Sequence, residues 1–152
     1  MSNKINPCLW FEKDLPEVIQ YYKAIFKDAM TVVYLGDLEN GPGGEYQFGT
    51  IELFGQQYDL LAAGPAFQFT EAVSLTISCE DQEETDYYWN ALTADGGAES
   101  QCGWCKDAYG LSWQVEPKLL RELSTTSDKE KRDYAMQQMF TMKKIIIKDL
   151  EK

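Results

Sequence analysis

No histidine occurs anywhere in the 152 residues. That absence removes Ser-His-Asp and Cys-His catalysis, imidazole metal ligands, and the side chain that ordinarily titrates near neutral pH. A general base must come from Asp, Glu, Lys, Tyr or Cys. Positive charge is scarce as well: 14 Lys and Arg stand against 25 Asp and Glu, a net charge of −11. Such a field repels phosphate backbones and anionic bilayers, so nucleic acid and membrane partners are disfavoured and a cationic ligand is attracted. Long apolar runs are missing too. Ile145-Ile146-Ile147 is bounded by lysines, far short of the ~20 apolar residues a spanning helix needs. Met1-Ser2-Asn3-Lys4-Ile5-Asn6-Pro7 has no apolar stretch behind its charge, so no signal peptide is expected, and a cytoplasmic location with reduced thiols is.

Apolar residues make up 44% of the chain, enough to build one domain around a core without disulfides or a structural metal. Four cysteines are present, and Cys102-Gly103-Trp104-Cys105 is a CxxC. A structural zinc needs four ligands, and there is neither a second CxxC nor a histidine to complete one. A thioredoxin-type CxxC opens a helix, whereas Ser100 to Cys105 reads as a strand. There the two thiols, three residues apart, would point to opposite faces and stay reduced.

The chain repeats itself. Leu9-Trp10-Phe11-Glu12-Lys13-Asp14, followed by Glu17, Tyr21, Tyr22 and Ile25, returns 67 residues later. The second copy is Thr76-Ile77-Ser78-Cys79-Glu80-Asp81, followed by Glu84, Tyr88, Trp89 and Leu92. Asp14 and Asp81 sit as helix N-caps, each with a glutamate three residues on. Behind Asp14 the apolar residues Val18, Tyr21, Tyr22, Ile25 and Phe26 fall on one helical face. Strands are expected at 31–35, 45–54 and 58–62, with a turn at Asn40-Gly41-Pro42-Gly43-Gly44 and another at Gly55-Gln56. The second copy predicts a strand over 72–79, a helix over 81–92, and strands over 100–105 and 111–116. Asp95-Gly96-Gly97 leaves little room for a strand before Ser100. From Pro117 the pattern turns helical, with a start at Ser127-Asp128-Lys129-Glu130 and an apolar face of Met136, Met139 and Phe140.

Two tandem strand-helix-strand-strand-strand units resemble the vicinal-oxygen-chelate superfamily of glyoxalases, bleomycin-resistance proteins and dioxygenases. Several stretches are similar to its PhnB-like branch, whose domain carries a demethylubiquinone-methyltransferase-like label. They are Tyr21-Tyr22-Lys23-Ala24-Ile25-Phe26, Ser100-Gln101-Cys102-Gly103-Trp104, Tyr109-Gly110-Leu111-Ser112-Trp113-Gln114-Val115 and Met139-Phe140-Thr141-Met142-Lys143-Lys144-Ile145. The resemblance implies an α+β fold in which two βαβββ modules form a curved mixed sheet around a cavity, followed by a C-terminal helical tail. It makes 1–152 a single PhnB-like domain, with repeat one at about 5–64, repeat two at about 71–116 and the tail at 117–152. It also implies a homodimer, for which the helix over 129–142 is a candidate contact.

Metal-dependent members of the superfamily take one ligand from the first strand and one from the last strand of each repeat. Carried over, those positions fall on Ser74, Gln114, Asp59 and, if Leu9 and Phe11 pack under the helix, Asn6; the strict 67-residue register gives Pro7 instead. One carboxylate and three neutral oxygen donors match no transition-metal set, so neither a metal nor another cofactor is expected. The cavity is then expected to be lined by Asn6, Cys8, Trp10, Asp59, Ser74, Cys102, Trp104 and Gln114. Two functions fit. One is an enzyme acting on an unidentified small molecule, with Asp59 as base or Cys102 as nucleophile. The other is a protein that sequesters its ligand, with Trp10 and Trp104 as apolar walls. Methyl transfer is disfavoured, because the only glycine cluster, at 41–44, lies between two strands rather than opening a helix.

Overall fold

A computed structural model of the chain describes residues 3–41 and 44–152. The chain forms two compact units, Met1–Gln68 and Phe69–Lys152, and their boundary falls between the two repeats. Each unit is a βαβββ module whose four-stranded mixed sheet runs in the order first-fourth-third-second.

The first module contains β1 (Cys8–Phe11), α1 (Leu15–Phe26), β2 (Met30–Gly41), β3 (Gly44–Leu53) and β4 (Gln56–Ala62). β1 pairs parallel with β4, and β4–β3–β2 is antiparallel. Alternation sorts the side chains into two faces. Leu9, Phe11, Ile51, Leu53, Leu60 and Ala62 are buried together with Leu15, Val18, Tyr22 and Ile25 of α1, so this is the helix-packed face. Asp14 adopts a left-handed conformation (φ 58°) and caps α1 by accepting from the Glu17 amide at 3.2 Å. The β3–β4 turn consists of Phe54 and Gly55, both at positive φ (48° and 80°). That is the pattern of a two-residue primed turn, which follows the twist of the strands; the turn therefore starts one residue earlier than Gly55-Gln56. Pro42 and Gly43 of the expected glycine-rich loop lie outside the described residues.

The second module contains β5 (Ser74–Cys79), α2 (Gln82–Thr93), β6 (Ala98–Glu99), β7 (Trp104–Lys106) and β8 (Ser112–Pro117). β5 pairs parallel with β8, and β8–β7–β6 is antiparallel. Asp81 caps α2 through the Glu84 amide (2.9 Å), and the Glu84 carboxylate accepts from the Glu80 amide (2.6 Å). The expected strand over 100–105 does not form. Cys102 and Gly103 both take positive φ (58° and 81°), which ends the pleat, and only Trp104 to Lys106 is extended. Cys102 therefore lies in a turn and not, as expected, on the strand face opposite Cys105. Both thiols are free all the same.

The tail forms α3 (Lys118–Thr125) and α4 (Lys129–Met139), so the helix stops three residues before Met142. Leu120, Leu123, Ala135, Met142, Ile145 and Leu150 make a small core of their own. Met136 and Met139 pack against it, so their apolar surface is used within the unit. Phe140 does not join them and is 69% exposed. The segment after α4 is tied to the module by backbone bonds. The amides of Cys102 and Gly103 donate to the carbonyls of Met142 (2.8 Å) and Lys143 (2.7 Å). Gln82 clamps the same segment, donating to the Ile145 carbonyl (3.1 Å) and accepting from the Ile147 amide (2.8 Å).

Candidate functional site

The sheet face opposite α1 carries the first module's share of the expected site residues. Two adjacent rows cross it. Register partners share a face, so Cys8, Asp59, Thr50 and Tyr34 form one row, and Trp10, Leu61, Phe48 and Gly36 form the next. Tyr34 reaches this row because β2 holds an extra residue between Val32 and Tyr34, a bulge that re-aims the side chain. Asp59 Oδ1 accepts from the Thr50 hydroxyl at 3.0 Å. Trp10 is pinned by donating its indole N–H to the Gly64 carbonyl (2.9 Å), with the Phe67 ring edge-on at 4.9 Å. Tyr34 and Phe48 approach with ring centroids 6.1 Å apart. The result is a short polar row beside an apolar, aromatic one.

Asn6 precedes Pro7, whose carbonyl accepts from the Asp59 amide (2.9 Å) and extends the β1–β4 ladder. The alternation that buries Leu9 and Phe11 against the helix puts Asn6 on the face of Cys8 and Trp10. Its Oδ1 is buried and has no hydrogen-bond partner. Burial, reinforced by the negative charge of Asp59, raises the Cys8 pKa above the ordinary thiol value. Cys8 is thus a thiol rather than a thiolate at neutral pH, and a poor nucleophile.

In the second module, Ser74, Thr76, Ser112, Gln114 and Trp104 share the face away from α2, by the same register argument. Gln114 Nε2 donates to Ser74 Oγ at 2.9 Å. Behind this face, Asp107 is buried and accepts from the amides of Tyr109 (2.9 Å) and Leu111 (3.1 Å) and from the Trp113 indole (2.8 Å). It shapes the turn into β8 and anchors the residue next to Gln114. Cys105 faces the core, where burial and then the charges of Asp107 and Glu99 push its pKa up to about 12. Cys102, expected beside Trp104, stands in the turn at 100–103 instead.

The implied metal positions do not fit a resident transition metal. Asn6 and Asp59 supply one carboxylate and one amide oxygen, while Ser74 and Gln114 satisfy each other through a neutral hydrogen bond. Among the described residues, no group of three or more Cys, Asp or Glu side chains is placed to hold an ion. Thr50, Tyr34 and Phe48 join this face without having been expected from the sequence. Thr50 stands opposite Asp59 because the turn is Phe54-Gly55; the expected turn at Gly55-Gln56 would have set Glu52 there, and no sequence signal reveals the bulge that turns Tyr34 inward.

The repeated βαβββ module, with a polar row on the face away from each helix, is that of the vicinal-oxygen-chelate superfamily. Within that superfamily, the chain belongs to the family described as 3-demethylubiquinone-9 3-methyltransferase, whose sequence model matches residues 3–116. The PhnB protein of Bacillus cereus, which carries the same methyltransferase description, is 31% identical. That match covers 76% of this chain and 99% of that one, with a TM-score of 0.66. Protein PA1353 of Pseudomonas aeruginosa matches at 17% identity over 76% and 98% of the two chains, with a TM-score of 0.61. The fosfomycin resistance protein FosX of Listeria monocytogenes, as a mutant complexed with Mn(II) and a dihydroxypropylphosphonic acid, matches at 16% identity. It covers 74% and 90% of the chains with a TM-score of 0.54; these last two show the fold alone. Among curated proteins none matches. Among the described residues, no helix is long and apolar enough to cross a membrane.

Proposed function

We propose that the chain binds a small organic molecule non-covalently on the sheet faces away from its helices, without a resident transition metal. The observation behind this is the face of β1, β4, β3 and β2, where a half-buried carboxylate held by Thr50 lies beside a pinned tryptophan. A few directional polar groups set among apolar walls are what a ligand site requires. Sequestration is favoured over covalent catalysis because Cys102, the expected nucleophile, stands in the turn at 100–103 rather than on the strand beside Trp104, and burial keeps Cys8 protonated. Methyl transfer draws no support from the turns that lead into the helices. Residues 12–14 and 80–81 contain no glycine, so neither turn offers the glycine-rich cradle of a nucleotide-type cofactor.

A thermal-shift screen of organic molecules, followed by calorimetry and a product assay on each hit, tests the proposal. Stoichiometric binding that raises the melting temperature without turnover is the expected result. Turnover of the bound molecule would make the chain an enzyme and end the sequestration reading. Homodimer formation in the cytoplasm is part of the same proposal, and light scattering at micromolar concentration checks the assembly.

A further inference from the structure

We infer that the ligand of the first module is an organic cation that carries N–H donors next to a flat apolar group, with Asp59 as its counter-ion. This rests on the small-molecule reading above and specifies the chemistry of that site. Asp59 is half-buried on β4, and its described partner is the neutral hydroxyl of Thr50; no described ion pair involves it. No lysine or arginine stands on this face of the four strands, because the unit's lysines, Lys4, Lys13, Lys23 and Lys27, all lie outside them. A carboxylate kept at a partly desolvated position without a cation is costly unless a ligand brings one.

The second observation is independent of charge. Asn6 Oδ1, on the same face, is a buried acceptor with no donor. Such a group costs free energy while it is unpaired, and a donor brought by a ligand would relieve it. A ligand that offers only acceptors, such as a phosphonate or a carboxylate, would meet one negative charge and one unpaired carbonyl. A protonated amine or amidinium has N–H donors to offer to either.

The neighbouring row decides what the cation is attached to. The fixed Trp10 indole, with Leu61 and Phe48 in register across the sheet, presents apolar and aromatic surface beside Asp59. Aromatic faces favour cations and flat apolar groups alike. The second module's carboxylates differ. Glu116 pairs with Arg121, Glu71 with Lys106 and Glu80 with Lys118, and the buried Asp107 accepts from two amides and the Trp113 indole, so each of these four has its partners within the protein.

The test uses three probes of one shape and different charge: benzylammonium, benzyl alcohol and benzoate. Binding to the 152-residue chain is followed by the indole N–H resonance of Trp10, assigned with Trp10→Phe. Benzylammonium is expected to shift that resonance saturably and to bind about tenfold or more tightly than benzyl alcohol, with benzoate silent. Asp59→Asn, checked for folding by its melting curve, should remove the preference for the cation. The charge ranking in the unmodified protein stands on its own should that variant not fold. Benzyl alcohol or benzoate binding at Trp10 as tightly as the cation overturns the inference and leaves the small-molecule reading standing. A Trp10 resonance that no probe moves overturns both for this face.

Discussion

The two modules share a parallel strand pair and a capped helix, and differ in how they complete the sheet. In the first, β2 and β3 are 12 and 10 residues long and form an extended hairpin. In the second, β6 and β7 have 2 and 3 residues. What the short hairpin lacks, other parts of the chain supply. The amides of Cys102 and Gly103 donate to the tail carbonyls of Met142 and Lys143. Asp107 organises the turn into β8 with a side chain, where the first module uses a two-residue backbone turn at Phe54 and Gly55. The comparison shows that the parallel pair and its helix define the module, while the outer strands can shrink if their backbone groups find partners elsewhere.

The largest expected effect tests the side-chain organiser. Asp107→Ala strands two amides and the Trp113 indole without an acceptor and should cost about 3–5 kcal/mol, measured by urea unfolding. A loss below about 1 kcal/mol, the scale of a single exposed bond, would show that the turn holds itself. Next comes the tail as a substitute for the hairpin. Ile145 is fully buried, and its Cγ1 lies 3.1 Å from where a Cβ on Gly103 would sit. Ile145→Ala should cost about 3 kcal/mol. It should also speed hydrogen exchange at Cys102 and Gly103 while leaving the amides of β3 unchanged; equal acceleration in both modules would contradict the division.

The helix caps give a smaller contrast. Asp81 has extended backbone, whereas Asp14 is left-handed. Asp81→Ala should cost about 1 kcal/mol through the lost cap. Asp14→Gly should be close to neutral, because glycine favours positive φ and offsets the missing side-chain bond; comparing melting temperatures checks both.

The last contrast is in alkali. Burial pushes the pKa of Cys79 up to about 11 and that of Cys105 up to about 12, and both lie in the second module. The unfolded chain releases these protons at lower pH, near the ordinary thiol value of 9.0, than the folded one does. Stability should therefore be intact below pH 9.0 and fall as pH rises toward these raised values. Cys105→Ala should flatten that decline, as read from melting temperature against pH.

Much of the architecture is legible in the sequence because helices and caps repeat strictly: Asp14 and Asp81, and the helices behind them, are offset by 67 residues. The strands are not. Phe11 lies three residues before its cap and Cys79 only two, so the buried pairs Leu9/Ile77 and Phe11/Cys79 are offset by 68. That one-residue difference is why the face of Asn6 depended on burial of Leu9 and Phe11, and why a strict register pointed to Pro7. The turn at 100–103 was hidden for another reason. A non-glycine residue at positive φ, such as Cys102, leaves no mark in a hydrophobic pattern, and the acceptors that stabilise it lie some 40 residues further on in the tail. Asp107 was equally hidden, since a buried carboxylate with three donors looks in sequence like any turn aspartate.

Whether the ligand positions of the fold still hold a metal is open to one direct measurement: elemental analysis of the purified protein, with melting curves before and after a chelator. One carboxylate and one amide at Asp59 and Asn6 in the first unit, and an amide and a hydroxyl at Gln114 and Ser74 in the second, predict only trace zinc, nickel, iron or manganese, and a melting temperature indifferent to the chelator. Near-stoichiometric metal, with unfolding or loss of ligand binding once it is stripped, would contradict the account of these positions.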